Sequence, residues 1–93
     1  MQTLINPVEK LKTRLNTLFE KNKNLILHND DDVYYKNVIN GLVTILDYNE
    51  HQAKEKMMEV HNNNKGVIYS CSENEAKILK EKLESYNLTI SIE

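Results

Sequence analysis

The chain of 93 residues holds one cysteine, one proline, two glycines, one phenylalanine and no tryptophan. A lone thiol, Cys71, has no partner within the chain. That excludes an internal disulfide framework and a cysteine-rich zinc site, and it fits a reducing compartment, so a cytoplasmic location is expected. Long apolar runs are also missing: the longest aliphatic stretch is Leu25-Ile26-Leu27, against the ~20 residues a helix needs to cross a bilayer. No basic-then-apolar leader opens the sequence, and no membrane partner is expected. Positive charge is not in excess. Twelve Lys and Arg stand against 14 Asp and Glu, a net charge of -2, and no basic block offers the stripe that nucleic-acid phosphates attract. With 40% hydrophobic and 28% charged residues, what remains is the composition of one small domain that folds in water.

The N-terminal segment carries the marks of a helix. Asn6 suits the N-cap, Pro7 the first helical position, and Glu9 can bond back to the cap. Val8, Leu11, Leu15 and Leu18 then share one face with Phe19 beside them, an apolar stripe that calls for a partner surface. Glu20-Lys21-Asn22-Lys23-Asn24 reads as a break, which sets an extension over residues 1–23 apart from a domain over 24–93.

Within the domain, Leu25 to His28 reads as a buried strand, and Asn29-Asp30-Asp31-Asp32 ends it. From Tyr35, the positions Val38, Ile39, Leu42, Val43 and Leu46 follow helical spacing, interrupted by Gly41 at a cost of roughly 1 kcal/mol relative to alanine. A second helix starts at Asn49, with Gln52 as capping-box partner and Ala53, Met57, Val60 and His61 along one face, until Asn62-Asn63-Asn64 stops it. Gly66 to Cys71 has strand character, Ser72-x-x-Glu75 opens a third helix, and Leu88 to Ile92 alternates as a half-buried strand does. The order β-α-α-β-α-β, without an internal repeat, implies an α+β sandwich: a three-stranded sheet with helices on one face.

Chemistry is concentrated at the acidic turn. Adjacent carboxylates repel, and they persist where water, a helix cap or a cation compensates. The plain structural reading has one aspartate capping the helix and the others solvated. A calcium loop needs acids at alternating positions together with a central glycine and a terminal glutamate, a pattern this segment does not provide. His51 and His61 lack the HExxH spacing, and Cys71 has no base beside it in sequence. Neither a metal, nor a cofactor, nor a catalytic residue is therefore expected; the chain does not read as an enzyme.

Leu27-His28-Asn29-Asp30-Asp31, then Met57-x-x-Val60-His61, then Ala76, followed without a gap, resemble ClpS, the adaptor family that delivers N-degron substrates to ClpA-type Hsp100 unfoldases and their ClpP protease. The resemblance runs from about Asn24 to the C-terminus, with a shortened loop near Tyr86-Asn87. It implies an antiparallel sheet and an adaptor that binds proteins with Leu, Phe, Tyr or Trp at the N-terminus. It implies that Asn29, Asp30 and His61 meet the free α-amino group and that Asp31 lies beside the first peptide unit. Val33, Tyr35, Val38, Met57, Val60 and Leu88 would line the pocket for the first side chain. The alternative within the same fold is a regulatory interaction domain that takes no degron and acts through unfoldase docking or its N-terminal helix.

The sequence departs from the family at definite places. Val33, Tyr34 and Tyr35 stand where the family has Thr-Pro-Met, so Asp32 is expected to take over as helix cap, and Tyr35 brings a rigid phenol to the pocket gate. Leu79 and Asn74 occupy the family's charged docking positions on the third helix, and Asn64 the place of the glycine after the second.

Overall fold

The computed structural model describes residues 22–93, and the helix expected over the N-terminal segment lies outside them. Three strands and three helices follow in the order β1 (Asn22–His28), α1 (Tyr35–Leu46), α2 (Glu50–Asn63), β2 (Lys65–Ser72), α3 (Glu73–Glu84) and β3 (Thr89–Ile92). The sheet order is β2-β1-β3, antiparallel throughout, so β1 is the central strand. That position explains its composition. Leu25, Ile26 and Leu27 are all buried, the continuous apolar run of a strand flanked on both edges.

Asn22, Lys23 and Asn24, read as part of a break, are instead the first residues of β1. Asn24 exchanges backbone hydrogen bonds with Glu93 at 2.8 and 2.9 Å, and its side-chain oxygen accepts from the Ser70 hydroxyl at 2.6 Å. Ladder partners on both sides satisfy the polar backbone, and exposed amides are tolerated on a strand under those conditions. A bulge opposite Leu25/Ile26 leaves Ile68 as an extra residue on β2, turned into the core at 4% exposure.

Leu25 and Leu27 of β1 join Leu42 and Leu46 of α1, Ala53 and Val60 of α2, and Ala76 and Leu83 of α3 in one core cluster. Cys71 is part of it, and burial, then the charge of Glu75, push its thiol pKa up; the side chain is a small core residue. Tyr48, between α1 and α2, donates its hydroxyl to the Ile68 carbonyl at 2.7 Å and ties that turn to β2. Burial, then Glu59, raise the pKa of its phenol. The Asn49–Gln52 capping box forms in both directions, at 2.7 and 3.1 Å, and the Ser72 hydroxyl accepts from the Glu75 backbone N–H at 3.3 Å.

Asp32 does not cap α1. The helix starts later, with Tyr34 in the N-cap position and no side-chain cap bond, because residues 30 to 33 form a turn of their own closed by the Val33 N–H to the Asp30 carbonyl. An uncapped helix start leaves orphan N–H groups in its first turn. Tyr34 is 81% exposed, so its ring contributes little packing. Tyr34→Ser is therefore expected to raise the unfolding free energy by about 1 kcal/mol in urea denaturation; unchanged or lower stability would contradict this cap assignment.

Candidate functional site

The acidic turn leaves the end of β1, and α2 ends beside it. The backbone N–H of Asn29 donates to the Asn64 carbonyl at 2.7 Å, which fastens the first residue of the turn to the residue that terminates α2. Asn64 can end the helix there because it adopts a left-handed conformation, φ 70°, which asparagine tolerates better than most residues. Asparagine thus does the work expected of glycine at that place. His61, in the last turn of α2, is brought to the same corner as Asn29 and Asp30 by this arrangement.

Within the turn the side chains of Asp30 and Asn29 are oriented. One Asp30 carboxylate oxygen accepts from the backbone N–H of Asp32 at 3.0 Å, and the other from the Thr89 hydroxyl of β3 at 3.2 Å. A carboxylate has about four acceptor positions, so two bonds fix its plane and leave capacity for a ligand. The Asn29 side-chain N–H donates to Asp31 at 3.3 Å, which leaves the amide oxygen of Asn29 as a free acceptor. A neutral imidazole at His61 adds a further acceptor nitrogen.

Behind this polar lip lies a hollow between β1, α1, α2 and the start of β3. Its lining includes Asn29, Asp30 and His61 at the lip and Val33, Tyr35, Val38, Met57, Val60 and Leu88 along the wall. Nine of the ten residues expected to form the site thus border one cavity. The tenth, Asp31, borders an adjoining cavity that shares Asn29, Asp30, Val33, Tyr35 and His61 with the first. Tyr35 stands between the two with 59% of its surface exposed, so its phenol does not plug the hollow.

With the open solvent at its mouth included, the hollow is about 390 Å³. Leu27, His28 and Thr89 complete the lining and were not legible as site residues. They arrive through cross-strand register, which sets His28 opposite Thr89 and Leu27 opposite Ile90, and no motif in the chain announces that pairing. His28 is further held to β3 by a 2.6 Å hydrogen bond between its Nε2 and the Ser91 hydroxyl. Among the described residues, no group of three or more His, Cys, Asp or Glu side chains is placed to hold a metal ion, and no helix is long and apolar enough to cross a membrane.

Comparison with known proteins points the same way. The family model described as ATP-dependent Clp protease adaptor protein ClpS matches residues 15–91. The ATP-dependent Clp protease adapter protein ClpS of Synechococcus elongatus is 30% identical over 90 residues, covering 96% of this chain and 95% of that protein. The structure of Agrobacterium tumefaciens ClpS2 bound to L-phenylalaninamide superposes with a TM-score of 0.75 at 20% identity, over 78% of this chain and 95% of that one, and shows that the fold is shared.

The stitch between Asn29 and Asn64 makes a testable demand. A β-branched residue in the left-handed region costs about 1 to 2 kcal/mol, whereas glycine is at ease there. Asn64→Val should lower stability by that amount and speed hydrogen exchange at the Asn29 amide, while Asn64→Gly preserves both. Equal behaviour of the two variants would show that this carbonyl does not hold the corner.

Proposed function

The chain belongs to the ClpS family of adaptors for ATP-dependent Clp proteases, and from that premise we propose that it recognises proteins by a free N-terminal α-amino group and a bulky apolar first side chain, and hands them to a ClpA-type AAA+ unfoldase. The observation that carries this reading is the joining of two chemistries in one cavity. A polar lip of acceptors opens directly onto an apolar wall.

An α-ammonium presents three donors and one positive charge. The Asn29 amide oxygen, the unused lone pairs of Asp30 and a neutral His61 nitrogen are three acceptors of matching number, one of them anionic. The first side chain then has the hollow to enter, and Asp31, which borders the adjoining cavity, is assigned the peptide unit that follows. The molecule bound to Agrobacterium tumefaciens ClpS2, L-phenylalaninamide, combines a free amine, a benzyl group and an amide, the chemistry of an N-terminal phenylalanine. Two walls of the hollow can yield to a bulky side chain. Met57 is unbranched and half-buried, and Tyr35 is already turned toward solvent.

Energies suit a carrier that must release its cargo. A charge-assisted hydrogen bond contributes about 1.5 to 3 kcal/mol, and burial of one large apolar side chain about 1.5 to 3. Association costs about 4 kcal/mol or more. Three such bonds and one buried side chain together supply about 6 to 12 kcal/mol, so after that cost at most about -8 kcal/mol remains, which is micromolar at the tightest. The proposed role is one of binding, not catalysis, and both substrate and unfoldase are protein partners.

Peptides beginning with Leu, Phe, Tyr or Trp should bind when free and fail to bind when N-acetylated, as measured by fluorescence anisotropy. Asp30→Ala and His61→Ala should each weaken binding by about 1.5 to 3 kcal/mol. Thr89→Val, which only releases one bond to Asp30, should cost less. Equal affinity for free and acetylated peptides would sink the degron reading and leave a regulatory interaction domain that acts through unfoldase docking or its N-terminal helix.

A further inference from the structure

We propose that Gly41 sets the depth of the apolar hollow and with it the size of the N-terminal side chain that the protein accepts. The inference rests on reading that hollow as the seat of a substrate's first side chain. Gly41 is buried in α1, three residues beyond the wall residue Val38, and is not itself part of the lining. Its backbone has no positive φ, so the position does not require glycine for conformational reasons, and alanine would be the better helix former. Glycine therefore supplies room.

A Cβ at position 41 would stand 2.9 Å from the Cδ1 of Leu88, with the Cγ and Cβ of Tyr86 at 3.5 and 3.6 Å. Non-bonded carbons settle at about 3.5 to 4.0 Å, so Leu88 fills volume that any other residue at position 41 would claim. Leu88 is 4% exposed and borders the hollow on its other side. A methyl pushed away from α1 has the hollow to move into. Gly41 is thus a positioning residue: by letting Leu88 lean against α1, it keeps the floor of the pocket low. The penalty for adding a Cβ grows with the size of the side chain that must reach that floor.

The test compares peptides beginning with Leu, Phe and Trp on wild-type protein and on Gly41→Ala, whose folding is checked by thermal melting. One methylene in an apolar pocket is worth about ten-fold or more, so the variant should lose about ten-fold in affinity for the Trp and Phe peptides and little for the Leu peptide. Leu88→Val added to Gly41→Ala should restore the aromatic peptides. An unchanged Leu-to-Trp ratio overturns the inference, and so does a uniform loss across all three peptides. If wild-type protein binds none of them, the reading of the pocket has failed and takes this inference with it. If alanine prevents folding, the wild-type protein still decides: a nuclear Overhauser contact between a Leu88 δ-methyl and the Gly41 α-protons is expected, and its absence overturns the proposal.

Discussion

One backbone hydrogen bond, from the Asn29 N–H to the Asn64 carbonyl at 2.7 Å, holds together two parts of the chain that are far apart in sequence. On one side is the turn that follows the central strand; on the other is the end of α2. The bond extends by one step the β1–β2 ladder, in which His28 pairs with Lys65, so that Asp30 follows directly on one strand and His61 shortly precedes the other. Their side chains border the same cavity. The bond in turn needs a residue that can close α2 in the left-handed region, and Asn64 meets the requirement without glycine.

The site divides into a fixed part and a yielding part. Asp30 is held by a backbone N–H and by Thr89, and Asn29 is held by its own N–H and by Asp31. Recognition of a cation depends on such preorganised acceptors, because a carboxylate that must first be ordered spends binding energy on ordering. The apolar wall is built differently. Met57 and Tyr35 are not locked into the core, whereas Val60 and Leu88 are almost fully buried. A stiff lip with a partly pliant hollow can demand a charged terminus strictly while admitting side chains of several shapes.

Much of this was legible in the sequence. The helical spacing of Val38, Leu42 and Leu46, the Asn49–Gln52 box and the alternation from Leu88 to Ile92 each correspond to an observed element, since those signals depend on local contacts. Residues 22 to 24 did not read as strand, because their fitness for β1 comes from partners some fifty residues away and more, Ser70 and Glu93. Asp32 as a helix cap failed for a local reason, the competing turn closed by Asp30. Thr89 and the close approach of Gly41 to Leu88 were hidden for a third reason: each is a contact between elements, fixed by strand register and helix packing. Nine of the expected site residues nonetheless border one cavity, because the motifs that carry them sit at the ends of elements, where the topology brings chain ends together.

The most direct measurement of the central claim is a ¹⁵N–¹H correlation titration of the protein with L-phenylalaninamide. The account predicts shifts concentrated at the amides of Asn29, Asp30, Asp31, His61, Val38 and Leu88. No shifts at these amides, or shifts gathered instead in the separate groove bordered by Tyr48, Glu55 and Tyr69, would contradict it.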